Sequence, residues 1–279
     1  MAPVPFDPSR RPVPPSPEPA TAPAPDPVPN PVPVRTPRSV TALLQRLRDD
    51  DPTAPRLTWY GADHARSGER IELSARVLST WVAKTANLLE EEFEAGPGTV
   101  VVLDLPTHWR TLVWQLAVWS TGAAVRLGDV GAVEGADLVV TASADVAAAV
   151  LAEGVDVVAV SLAPLAVSFG APLAEGVLDY ARVVTGYGDS HVPLAEPGPA
   201  DAALLVAGRG PVTHAGLLAE AAAAAAALPD GVRLLTDAAP ADVAAGPLAA
   251  YVRRGSCVLT PDAAAVDEHT RSAERVTRS

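Results

Sequence analysis

Short apolar runs and 3.6-residue apolar stripes alternate along most of this chain, and they predict strands alternating with helices. Leu43, Leu44 and Leu47 predict a short opening helix. Leu57-Thr-Trp-Tyr60 and Arg70-Ile-Glu-Leu73 predict a strand pair around a Gly- and Asp-containing turn. Ser74 is placed to cap a long helix whose stripe is Val77, Leu78, Trp81, Val82, Leu88, Leu89 and Phe93, with Gly96-Pro97-Gly98 as its stop. Thr99 to Leu105 is almost wholly apolar, as a parallel strand covered on both faces requires. The helix from about Thr107 to Ser120 is apolar nearly all round and should be buried, with Gly122 ending it.

Further strands are predicted at Ala123–Leu127, Asp137–Thr141, Val155–Leu162, Ala202–Val206, Val232–Thr236 and Ser256–Leu259. Helices fall near Ala144–Leu151, Thr213–Leu228 and Ala241–Arg253. The expected class is therefore α/β, with helices layered on a mostly parallel sheet. No internal repeat is visible.

Composition divides the chain. Residues 1–38 hold 15 of the 29 prolines, so they lack amide donors and apolar bulk and are expected to be a disordered, polyproline-like tail. Such a tail could serve an aromatic-lined groove, but a spacer is the simpler expectation. Residues 39–265 are expected to form the α/β domain and 266–279 a loose tail. The formal charge of −12 argues against nucleic acid as a partner. A single cysteine, Cys257, excludes an intramolecular disulfide and a cysteine metal cluster. Val157 to Ala174 carries no charge, but Pro164, Gly170 and Pro172 argue for a strand and loop rather than a membrane span. The expectation is a soluble cytoplasmic protein.

Four passages, in order, resemble the N-terminal part of the adenylate-forming superfamily of acyl-CoA synthetases and AMP-dependent ligases. They are Leu73-Ser74 with Val82 to Leu89, Gly96 to Leu103, Pro106 to Val125, and Val212 to Leu218. The resemblance covers about residues 40–260. It extends to a small, truncated actinobacterial group of such proteins.

The resemblance implies a Ser/Thr/Gly-rich loop ending in lysine that wraps the phosphates of ATP. The equivalent stretch here, Ala207-Gly-Arg-Gly-Pro211, is shorter and lacks hydroxyls and lysine. Gly208, Arg209, Gly210 and Thr213 are the residues that could hold an anion, through the Arg209 charge and the amides of the following helix. The simpler expectation is an inherited tight turn, with Thr213 capping the helix. The aromatic-x-Thr-Glu motif whose acid holds magnesium is not found, and no residue takes the place of the ribose-binding aspartate or the catalytic lysine. The one lysine, Lys84, is expected to be solvated on the first long helix, as is Glu90-Glu91-Glu92.

Asp189-Ser190-His191 is expected to be a polar loop rather than a triad. His108, before Trp109, is expected at a helix N-terminus, and His64, His214 and His269 show no metal-ligand spacing. No catalytic residue, no metal and no cofactor are expected, ATP or AMP being the only candidates. The leading expectation is a non-catalytic binding or regulatory protein, with an unknown protein or small anionic ligand as partner. The alternatives are an AMP-forming ligase completed by another chain and a scaffold docked through the proline-rich tail.

Overall fold

The computed structural model describes Met1 and residues 36–62, 69–128 and 133–278. Residues 2–35 of the proline-rich segment and His64 lie outside the described residues. The described residues from 36 onward form one compact unit.

Helix α1 (Val40–Asp50) is capped by the Ser39 hydroxyl. Strands β1 (Pro55–Tyr60) and β2 (Arg70–Ser74) pair antiparallel, as their alternation predicts. The Ser74 hydroxyl accepts from the Val77 amide and opens α2 (Ala75–Phe93), a cap that contributes about 1 kcal/mol. Helix α2 ends before Gly96, because Glu94 takes the left-handed conformation (φ 49°) and closes the last turn. Strand β3 (Val100–Asp104) leads to α3 (Trp109–Thr121), every residue of which is buried. Gly122 (φ 89°) closes α3; a Cβ there would sit 3.1 Å from Pro97 and 3.2 Å from Pro197.

Next come β4 (Ala124–Leu127), β5 (Leu138–Thr141), α4 (Ala144–Ala152) and β6 (Asp156–Ala159). The Pro/Gly-containing linker holds two elements too short for periodicity to reveal, β7 (Leu178–Asp179) and α5 (Tyr180–Val183). They are followed by β8 (Ala202–Val206), β9 (Val212–Thr213), α6 (His214–Ala225) and β10 (Arg233–Thr236). The helix expected over Ala241–Arg253 is broken. Gly246 (φ −98°, ψ −107°) and Pro247 interrupt it, leaving α7 as Ala249–Val252 before β11 (Ser256–Leu259).

The strands form two sheets rather than one. A four-stranded sheet has the order β10-β11-β1-β2, and a seven-stranded sheet the order β7-β6-β5-β3-β4-β8-β9. All pairs are parallel except β1–β2 and β8–β9. The larger sheet is covered on both faces. Val101, Leu103, Leu138, Val140 and Val158 join the main core with α3, while Val102, Val139 and Val157 pack with Ala147 and Val150 of α4. This period of two within wholly apolar strands is what a doubly covered parallel sheet demands.

Residues 266–279 are expected to be loose; of these, the described residues 266–278 are packed. Helix α8 (Glu268–Ala273) is capped by Asp267. Val266 joins Leu235 and Val258 in a separate apolar cluster on the smaller sheet, and Arg278 bridges to Leu234 at that sheet's edge. The segment's few apolar residues did not reveal this, because its anchor is the carboxylate of Glu274. No helix among the described residues is long and apolar enough to cross a membrane.

Candidate functional site

Strand β8 runs into the turn that carries Gly208, Arg209 and Gly210. Gly208 (φ 76°) takes the left-handed conformation, and the Arg209 amide donates to Val206 O at 3.1 Å. The chain then returns along its own strand, Val212 pairing with Leu204 and Thr213 with Ala202. The stretch expected as a strand-to-helix loop is thus a β-hairpin. Its second strand is two residues long, too short to leave a pattern in the sequence.

In this hairpin Arg209 and the first amides of the following helix already have partners. The first amides of α6 already have acceptors. His214 N donates to Asp201 O at 3.0 Å and Ala215 N to Pro199 O at 3.4 Å. Gly216 N donates to the Thr213 hydroxyl at 3.0 Å, which is the expected cap. The Arg209 guanidinium grips both oxygens of Glu220, one helical segment away, at 2.6 and 2.7 Å. That hydrogen bonding raises the Arg209 pKa further. An anion here would have to displace a bidentate carboxylate and find amides already bonded.

An open cleft of about 450 Å³ lies beside the turn, at the carboxyl ends of β4 and β8, lined by Arg126, Gly128, Glu134, Ala207 and Arg209. Arg126 donates to Glu134 O at 2.8 Å. The cleft's Arg209 is paired with Glu220, and the first amides of α6 face backbone oxygens and a hydroxyl.

The other sequence candidates separate. Asp189 pairs with Lys84 at 2.7 Å, and His191 Nε2 lies 3.2 Å from Glu90 Oε1 with both side chains buried. Asp189, Ser190 and His191 therefore form no triad. Lys84 and Glu90, expected to be solvated, instead hold this loop. The cause is long-range: the 184–194 segment folds back along α2, which no local pattern announces. His214 is buried, with Nε2 3.1 Å from Gly122 O.

A second concave region lies where both sheets present the carboxyl ends of strands. It is a crevice of about 470 Å³ whose lining includes Trp59, Glu69, Pro106, His108, Leu162 and Pro261. His108 is the N-cap of α3, its Nδ1 accepting from the Arg110 amide at 3.1 Å. It is 5% exposed. Burial and the neighbouring Arg110 charge hold its pKa down at about 3, so the ring is neutral and its proton sits on Nε2. That Nε2 is buried without a hydrogen-bond partner among the described residues. The sequence placed His108 at a helix start but could not reveal the unpartnered nitrogen.

This architecture is that of the adenylate-forming enzymes. The chain superposes on an acyl-CoA synthetase from Brucella canis with a TM-score of 0.62 and 21% identity, over 80% of this chain and 43% of that one. It superposes on the anthranilate CoA ligase AuaEII, solved with anthranoyl-AMP, with a TM-score of 0.63 and 14% identity, over 82% and 46%. The chain spans less than half the length of these enzymes. No family model matches the sequence.

The particular relative is a TIGR03089 family protein of Mycobacterium tuberculosis (strain ATCC 25618 / H37Rv). It is 38% identical over a matched length of 257 residues, and the match covers 87% of this chain and 98% of that protein. The chain belongs to that family.

Proposed function

We propose that this chain is a non-catalytic protein on an adenylate-forming scaffold, with a binding or regulatory role. One observation carries the reading: the segment in the place of the phosphate loop is a closed hairpin whose cation, Arg209, is held bidentate by Glu220. Catalysis of phosphoryl chemistry depends on preorganised positive charge and donors aimed at the transferring group. Here those groups are turned inward on the protein itself.

The test is pyrophosphate release by the full chain with ATP, Mg²⁺ and a panel of fatty and aromatic acids. No release above background is expected. ATP at millimolar concentration should also leave the melting temperature unchanged, whereas a ligand at a hundred times its Kd adds about 2.7 kcal/mol. Sustained pyrophosphate release with any acid would overturn the reading.

A further inference from the structure

We propose that His191 makes residues 185–194 a pH-sensitive strap across helix α2. Protonation of its ring converts a contact with Glu90 into a buried ion pair, which tightens the strap and the cleft wall that the strap forms.

The strap buries the wrong residue for an apolar anchor. Val192 and Leu194 are 82% and 85% exposed, whereas the His191 side chain just before them is 4% exposed. Hydrophobic burial alone favours the reverse, since Val and Leu are ordinarily inside and His only in part. What the His191 ring meets inside is a carboxylate. Its Nε2 lies 3.2 Å from Glu90 Oε1, and the Glu90 side chain is 8% exposed. Even at that distance Nε2 makes no hydrogen bond. A hydrogen bond needs alignment, whereas the attraction of two charges depends on their separation and on the screening between them. The neutral ring therefore contributes little to the contact, and the protonated ring contributes much more.

The same carboxylate holds the strap at a second point, Glu90 Oε1 accepting from the Leu194 amide at 3.2 Å. The other charges nearby are mixed. Lys84 of α2 pairs with Asp189 of the strap at 2.7 Å, so the two offset one another. Glu92, on the last turn of α2, accepts from the Tyr187 hydroxyl. Arg48 of α1 lines the same cleft as His191, and it is exposed and screened by solvent. Among the described residues, Glu90 is the charged group within ion-pair distance of the His191 ring.

Asp189, His191 and Pro193 form one wall of a cleft of about 370 Å³, with Leu44 of α1 and Val82 of α2 on its other walls. The charge on one ring thus sets how firmly that wall is held. Imidazole is the side chain whose charge ordinarily changes between about pH 5 and 8, and the test spans that range.

Amide exchange of the full chain, corrected for the intrinsic pH dependence of the reaction, is followed at about pH 7.5 and about pH 5.5. Protection over residues 188–194, measured relative to α3, is expected to rise about fivefold on acidification. His191→Phe keeps a buried ring that does not titrate and should flatten this dependence. Glu90→Gln keeps an acceptor for the Leu194 amide without the charge and should flatten it too. Where either variant fails to fold, the wild type decides: the His191 imidazole signals, followed by NMR, should titrate with the same midpoint as the protection of the strap. The proposal is overturned if the wild-type strap holds constant or loosens on acidification. It is equally overturned if the folded variants keep the wild-type dependence, or if the two midpoints differ.

Discussion

Glu274 concentrates the electrostatics of the smaller sheet in one side chain. It is 6% exposed and receives the Tyr60 hydroxyl at 2.6 Å, Arg70 Nε at 2.8 Å and the Arg233 guanidinium. Burial pushes its carboxyl up, but the hydrogen bonds from Arg70, Tyr60 and Arg233 outweigh burial and bring the pKa from 4.5 down to about 2. A carboxylate depressed in the folded state stabilises the fold above its ordinary pKa and ceases to do so as pH falls through the folded value. The wild type should therefore lose stability between pH 4.5 and about 2. Glu274→Gln should lose about 3 kcal/mol at neutral pH, mostly by stranding the largely buried Arg233, since Arg70 is 40% exposed and its pair adds little, and should show a flatter decline across that window. Urea unfolding at pH 7 and pH 3 checks both; equal midpoints for variant and wild type at pH 7 would refute the clamp. The Arg209–Glu220 pair is a contrast at the same scale. Its side chains are 41% and 42% exposed, so it contributes about 0–1 kcal/mol. Its importance lies in occupying Arg209 and not in holding the fold.

Helix α2 acts as a rail for the segment that follows α5. Lys84 donates to Thr185 O at 3.2 Å and also to Tyr187 O, Asn87 donates to Gly188 O and Ser190 O, and Glu92 accepts from the Tyr187 hydroxyl. Lys84 and Asn87, three residues apart, are neighbours on the helix surface, and Glu92 reaches Tyr187 from its last turn. Lys84→Ala should cost about 1 kcal/mol, as loss of a partly buried charged donor does. It should also speed amide exchange over residues 185–194, with little change in α2 itself. Unchanged exchange there would mean the clasp is ornamental. This is also the scale at which reading the sequence succeeded and failed. Local signals were sufficient for the long strands, the Ser74 and Thr213 caps, the all-buried α3 and the Gly122 stop, because each depends on a few adjacent residues. The β8–β9 hairpin was hidden because two residues carry no periodicity. The helix expected over Ala241–Arg253 was overextended because the apolar stripe outvoted Gly246-Pro247. At the candidate site, the loss of hydroxyls and lysine was legible. The Arg209–Glu220 grip and the stranded His108 nitrogen were not, since both depend on how separate elements meet.

At the scale of the whole molecule, the smaller sheet is woven from distant parts of the chain around the larger one. Strand β1 pairs in parallel with β11, Leu57 opposite Cys257 and Trp59 opposite Leu259, while β3 to β9 of the larger sheet lie between them in sequence. The two sheets also share one core, in which Leu57 and Trp59 join Val101, Leu103 and Trp109. Separate unfolding of the sheets would expose that shared surface twice, so a single cooperative transition is expected. The 262–278 segment closes the outer face of the smaller sheet through Val266, packed with Leu235 and Val258, and through Glu274. A chain ending at Pro261 should lose about 3 kcal/mol or more from the clamp alone, lowering the melting temperature by about 6–12 °C for a domain of this size. Because the core is shared, tryptophan fluorescence and far-UV circular dichroism should still report the same midpoint. The two signals parting in the shortened chain would show that the smaller sheet can melt while the larger one stands, and the single-core account of this fold would fail.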